Sequence, residues 1–214
     1  MLSRLEDSPN VKLMCGHTHY LQSYQVKEPI QTEGRIHGTA CGAWWHSVIC
    51  TDGTPNGYAV YEIQGNKIIN QYYKPTRYDK SFQIRLFHGN AFFGGQYGTY
   101  SYGLPSDYVV ANVFNYDPQW HVSVYENGKY SGEMTSALSY FKQDAWAVGL
   151  HLGVLNRDEK NYGVTCYHDF VYKLKNPKAK VKVEAVDEYG NTYTQEAFTT
   201  SLAEAESYGS AAAK

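Results

Sequence analysis

Lys180-Val181-Lys182-Val183-Glu184-Ala185 alternates charged and apolar side chains, and it leads into the turn cluster Tyr189-Gly190-Asn191 and a further extended run, Thr192 to Phe198. A period of two puts Val181, Val183 and Ala185 on one face of a strand and Lys180, Lys182 and Glu184 on the other, as in a half-buried antiparallel sheet. The same pattern recurs upstream. Trp120, Val122 and Val124 face one way and His121, Ser123 and Tyr125 the other, ahead of a hairpin turn at Asn127-Gly128. Tyr108 to Phe114 and Tyr167 to Leu174 also read as strands. Several strands at this spacing predict an antiparallel β-sandwich, with Trp120 and Trp146 as its large core residues.

Composition agrees with a mainly β chain. Of 214 residues, 15% are aromatic, with 21 Tyr and 19 Gly, a mixture that favours strands and turns over helices. The formal net charge of -2 gives no electrostatic reason to expect a nucleic-acid or membrane partner. The four cysteines, Cys15, Cys41, Cys50 and Cys166, form no Cys-x-x-Cys pair, so neither a structural zinc site nor a redox motif is indicated. They are expected free and buried, with a Cys41 to Cys50 bridge left open for an exported parent. No signal core or run of ~20 apolar residues is present, so the chain as written reads as soluble. Localisation is not decided by the sequence, and a periplasmic or secreted parent is left open.

Towards the N-terminus, Leu2 to Asp7 reads as a helix end and Val11 to Cys15 as a buried strand. Ser47 to Cys50 and Tyr58 to Ile63 are strand-like, and Gly65-Asn66 turns the chain into Lys67 to Tyr73. Lys74 to Lys80 is polar, contains Pro75 and serves as the linker candidate. The expected organisation is therefore residues 1–80, then a sandwich over 81–200 that opens with the strand Phe82 to Phe87, then a tail over 201–214 that frays. Between His88 and Gly103 lies a Gly/aromatic run read as a long loop. Phe92, Phe93, Tyr97 and Tyr100 make it a recognition surface or lid, or else an internally packed Ω-loop.

One short motif carries chemistry. Gly16-His17-Thr18-His19 follows the first strand, where a rigid element hands over to a loop able to present side chains. Histidines two apart aim at one metal or at two adjacent ones when the backbone turns between them, and Gly16 permits such a turn. Downstream stand Thr39-Ala40-Cys41-Gly42-Ala43-Trp44-Trp45 and the turn cluster Asp52-Gly53-Thr54-Pro55-Asn56-Gly57-Tyr58. With these elements the chain resembles the C-terminal part of the calcineurin-like metallophosphoesterases, in which Gly-His-x-His is the last of several metal-binding motifs. Val183 to Tyr193 likewise resembles the C-terminal β-domain of that group.

The resemblance implies the end of an α/β phosphoesterase sandwich followed by an antiparallel β-sandwich. It implies that His17 ligates one ion and His19 the other of a divalent metal pair, as neutral imidazoles. Gly16, His46 and Asp52 are candidates to line that site. The family's Asp-x-His, Gly-Asp-x-x-Asp and Gly-Asn-His-Asp/Glu motifs lie upstream of Gly-His-x-His, and only fifteen residues precede it here. The chain therefore reads as a C-terminal fragment that binds no metal stably by itself, with the N-terminal catalytic portion as its partner. Phosphate-ester hydrolysis belongs to the intact protein, and whether this chain alone is an enzyme is left open. The alternatives are an interaction module for a glycan, a protein or a second copy of itself, and a mononuclear site in which Asp52 and His46 join His17 and His19.

Overall fold

The computed structural model describes residues 11–203 together with Leu5 and Ser8. Apart from Leu5, the helix end expected over Leu2 to Asp7 lies outside the described residues, as does all of the tail beyond Ala203. The first described strands are three short ones, β1 (Leu13–Cys15), β2 (Gln22–Val26) and β3 (Thr32–Ile36), in the order β1-β3-β2. Here β1 runs parallel to β3, and β2 antiparallel to it. A separate hairpin follows, β4 (Gly57–Gln64) and β5 (Lys67–Pro75), turned at Gly65-Asn66 as the sequence indicates. Ser47 to Cys50 forms no strand; it contributes a single bridge from Ile49 to Pro55.

The sandwich is present and its residues alternate as expected. After β6 (Ile84–His88), β7 (Phe92–Gly95) and β8 (Gly98–Ser101) come β9 (Tyr108–Val113), β10 (His121–Glu126), β11 (Lys129–Glu133) and β12 (Thr135–Ser136). The last three strands among the described residues are β13 (Asp169–Lys173), β14 (Val181–Val186) and β15 (Thr192–Gln195). One sheet has the order β11-β10-β14-β15 and the other β12-β13-β9-β6, with every pairing antiparallel. Between them lies a core of Leu86, Val109, Ala111, Val122, Val124, Phe170, Val183 and Ala185, closed at one end by Trp120 stacked on Tyr193. Burial of Val181, Val183 and Ala185 against half-exposed Lys182 and Glu184 is the alternation read from sequence.

Trp146 is not part of that core. It sits on a short helix, α1 (Ala145–Val148), that continues into a π-helical segment, Gly149–Val154, and both pack on the other face of the β12-β13-β9-β6 sheet. There Trp146 joins Phe87, Val110, Val171, Phe93 and Tyr102, and its Nε1–H donates to the Ser201 carbonyl at 3.0 Å. Asp144 caps the helix by accepting from the Ala147 N–H at 2.7 Å. A second short helix, α2 (Glu159–Tyr162), is capped in the same way by Asp158.

The Gly/aromatic run is a β-hairpin rather than a long loop: β7 and β8 pair over four residues each. It lies on the π-helical segment at a distance that only glycines allow. A Cβ on Gly149 would stand 2.6 Å from the Cβ of Phe93, and one on Gly153 would stand 2.5 Å from the Gly98 carbonyl oxygen. The Tyr97 N–H donates to the Gly153 carbonyl at 3.0 Å. Backbone therefore packs on backbone, and the glycines are spacers for that contact.

Candidate metal centre

Among the described residues, seven other than glycine hold a positive φ, and three of them are asparagines, which tolerate that region. The other four are His17 (φ 80), His19 (φ 59), Trp44 (φ 49) and Trp45 (φ 63). Left-handed backbone costs a side chain of this bulk on the order of 1–2 kcal/mol per residue. All four meet in one patch. The His19 ring stacks on Trp44 at 4.7 Å and meets the edge of Trp45 at 5.3 Å, while His17 approaches the edge of Trp44 at 6.2 Å.

The surroundings impose these conformations. The His19 carbonyl accepts from the Thr51 N–H at 2.9 Å and from the Thr51 hydroxyl at 3.0 Å, which fixes the chain just beyond the second histidine. Trp44 and Trp45 lie in a 3-10 turn, Ala43–Trp45, that starts at Gly42 (φ 75). A Cβ on Gly42 would stand 1.9 Å from the Ser47 carbonyl oxygen, so no other residue fits. Trp44 is anchored below by Val148, Leu152 and Tyr162, and its Nε1–H donates to the Asn161 carbonyl at 2.9 Å.

His17 is exposed and His19 is buried, with only 7% of its surface accessible. Nδ1 of His19 lies 2.8 Å from the Gly42 carbonyl and 2.9 Å from the Trp44 N–H. The first contact wants a proton on Nδ1 and the second a lone pair, so a cation at Nε2 would select the tautomer that donates to Gly42. A backbone carbonyl orienting the far nitrogen is the usual support of a metal-bound imidazole, and the two rings fit as nitrogen ligands. Among the described residues, however, no group of three or more His, Cys, Asp or Glu side chains converges so as to hold a metal ion.

The other candidate residues are placed as follows. Gly16 is exposed with open space around it. His46 is exposed at the end of the Ala43–Trp45 turn, its N–H bonded to the Ala43 carbonyl. Asp52 is buried and turned to the sandwich. Its carboxylate accepts from the Leu21 N–H at 2.6 Å, the Thr54 N–H at 3.0 Å and His168 Nε2 at 2.9 Å. Burial pushes its carboxyl up, but attraction to and the hydrogen bond from His168, with the two backbone donors, hold it net below the usual range.

Behind Asp52 the buried polar groups continue. Asn112 donates to the Asp52 carbonyl at 2.8 Å and to Asp144 at 3.1 Å, and Tyr102 donates to Asp144 at 3.0 Å. Arg85 donates to the Gly53 carbonyl at 2.8 Å and lies 4.0 Å over the Trp146 ring. Arg85, Asn112 and Asp169 stand opposite one another across β6, β9 and β13. Burial, and then the neighbouring Asp144 charge, push Asp169 well up. Asp52 thus ties the segment beyond the histidines to the sandwich. The four cysteines are free thiols, Cys15 and Cys41 exposed and Cys50 and Cys166 buried.

The aromatic hairpin divides its side chains. Phe93 is buried against Phe87 and Tyr102, and Tyr100 packs on the cluster beneath Trp44. Phe92 (70% exposed) and Tyr97 (51%) face outward. The residues that sequence reasoning passed over are Trp44 and Trp45 as the seat of the histidines, together with His168. For the tryptophans a signal existed, since an adjacent bulky pair behind a glycine is unusual in a turn. His168 offers none, because it meets Asp52 from 116 residues away.

No described helix is long and apolar enough to cross a membrane. Comparison with known proteins gives one family: residues 35–193 match MetallophosC, the C terminal of calcineurin-like phosphoesterase. The match begins after the Gly16-His17-Thr18-His19 turn and covers the β4–β5 hairpin and the sandwich. No curated protein and no solved structure matches the chain. Its mainly antiparallel β architecture over the matched residues agrees with that family model, and the chain belongs to the calcineurin-like phosphoesterases through their C-terminal region.

Proposed function

We propose that the Gly16-His17-Thr18-His19 turn contributes two imidazole ligands to a divalent metal centre for phosphate-ester hydrolysis. The remaining carboxylate ligands come from a catalytic portion that docks against this patch. The observation that carries the reading is the convergence of four left-handed residues, His17, His19, Trp44 and Trp45, with a carbonyl placed on Nδ1 of His19. Local strain of this kind is kept where a loop must present side chains in a fixed way. When bound, the metal pair supplies Lewis-acid polarisation of the phosphoryl group and a hydroxide nucleophile at neutral pH. The work of this chain is positional: Gly42 and Trp44 hold the His19 ring, Trp44 packs between it and His17, and Thr51 fixes the backbone at His19. Residues 1–80 act as the end of the catalytic unit and 81–200 as its β-sandwich prop, with the Asp52–His168 contact as the bolt between them.

Two imidazoles alone make a weak site, since a divalent catalytic centre normally has at least three protein ligands per ion. Calorimetric titration of Mn²⁺ and Zn²⁺ into the isolated chain tests the reading. It predicts weak binding that His17→Ala and His19→Ala each abolish, and no turnover of a generic phosphoester. A second reading, an interaction module for a glycan, a protein or another copy of the chain, draws on the outward Phe92 and Tyr97. A concentration-dependent change in size on gel filtration that Phe92→Ser reverses would favour it.

A further inference from the structure

The chain has four tryptophans, and the fold uses three of them. Trp44, Trp120 and Trp146 each donate the indole N–H to a protein acceptor, respectively the Asn161 carbonyl, the Glu188 carboxylate and the Ser201 carbonyl. Each also packs with one of the hydrophobic clusters. Trp45 does neither. It joins none of those clusters, and its Nε1–H meets no acceptor among the described residues. At 71% exposure it is the most exposed large apolar side chain among them.

An indole left in water forgoes the gain of burying its apolar area. Its backbone is strained as well, at φ 63. The ring therefore does little to hold the fold, and what the turn secures is its position. Its centroid lies 5.3 Å from that of the His19 ring, edge to face. Trp44 is stacked on the same histidine and bonded to Asn161, so Trp45 projects from an anchored base.

The exposed ring thus borders the candidate ligands His17 and His19, and a centre that cleaves a phosphoester must stay open to the substrate. The surroundings bear on what lies against the ring. His17, His19 and Trp44, grouped beside Trp45, are planar π systems too. A wall of this kind offers flat faces and one free indole donor. A sugar ring needs several polar groups converging on its hydroxyls, whereas an aromatic ring stacks on tryptophan without them.

We propose that Trp45 stacks on the organic group of the phosphoester substrate, and that this group is a planar aromatic ring, as in a nucleotide or an aryl phosphate. The proposal rests on the reading of His17 and His19 as metal ligands. The test is a titration of the ¹⁵N-labelled chain in the presence of Zn²⁺, read at the Trp45 indole N–H, which is assigned by its loss in Trp45→Phe. AMP and phenyl phosphate are the ligands, with adenosine, glycerol 3-phosphate and glucose 6-phosphate as controls. AMP and phenyl phosphate are expected to shift that signal and to bind about fivefold tighter or more than each control. Trp45→Asn removes the ring and accepts a left-handed backbone; it should weaken AMP binding about fivefold or more and leave glycerol 3-phosphate unchanged. Trp45→Phe, which keeps a ring, should hold AMP within about threefold of the parent. Affinities of the variants are read by saturation transfer to the ligand protons, and thermal melts confirm that each variant folds. The comparison of AMP with glycerol 3-phosphate on the parent chain needs no substitution. Zn²⁺ alone, followed at the His17 and His19 ring signals, tests the metal reading: silence there refutes that reading and this proposal with it. Zn²⁺ binding combined with AMP affinity unchanged in Trp45→Asn, or with AMP held no tighter than glycerol 3-phosphate or glucose 6-phosphate, would overturn the assignment of Trp45 alone.

Discussion

Replacing Asp52 by Asn separates a structural carboxylate from a metal-lining one. The carboxylate takes three donors, Leu21 N–H, Thr54 N–H and His168 Nε2, with almost no exposure to water. An amide of the same shape keeps one acceptor oxygen. If it stays on the Thr54 N–H, the new NH₂ faces the Leu21 N–H, and a buried donor is left against a donor. That costs about 1–3 kcal/mol, and weakening the ionised contact to His168 adds about 1 kcal/mol. The sum is about 2–4 kcal/mol, which for a chain of this size lowers the melting temperature by roughly 4–16 °C. Urea unfolding followed by tryptophan fluorescence, with Trp120 and Trp146 reporting the two faces of one sheet, measures it. A variant within about 0.5 kcal/mol of the parent would refute the account of Asp52 as a junction residue.

Other outcomes follow from the same structure. Gly42→Ala should destabilise the chain by about 2–5 kcal/mol, because its Cβ meets the Ser47 carbonyl at a positive φ, whereas Gly65→Ala, in open space, should cost only about 1 kcal/mol. Comparative thermal melts give both. His151 is buried, its pKa held down to about 3 chiefly by burial, and its Nε2 lies 2.7 Å from the Ser47 hydroxyl. The unfolded chain takes a proton there near pH 6.5 that the folded ring refuses, so this contribution is complete above pH 6.5 and is lost as pH falls towards 3, at up to ~1.4 kcal/mol per unit. Denaturant unfolding at stepped pH should show that slope, and His151→Gln, which keeps a partner for Ser47, should flatten it.

What could be read from the sequence is what local chemistry decides. Val181, Val183 and Ala185 face the core because a strand alternates, and the Gly65-Asn66 and Asn127-Gly128 turns fall where positive φ is cheap. The hairpin at Phe92–Ser101 was not legible. Its strands are short and glycine-rich, and what holds them is the close approach of Gly149 and Gly153, some fifty residues later in the chain. Trp146 went to the wrong side of the sheet because Ala145 to Val154 is apolar without a usable period, which hides the short helix. The two histidines announced themselves by motif, whereas Asp52 read as turn chemistry and its role rests on His168, a pairing no local pattern encodes.

The most direct test of the central claim, that His17 and His19 are two ligands of a centre completed from outside this patch, is Mn²⁺ titration of the chain with activity followed on the same sample. The account predicts weak binding lost in His17→Ala and His19→Ala, with no phosphoester turnover. Tight stoichiometric binding accompanied by metal-dependent turnover, both unchanged when either histidine is replaced, would contradict it.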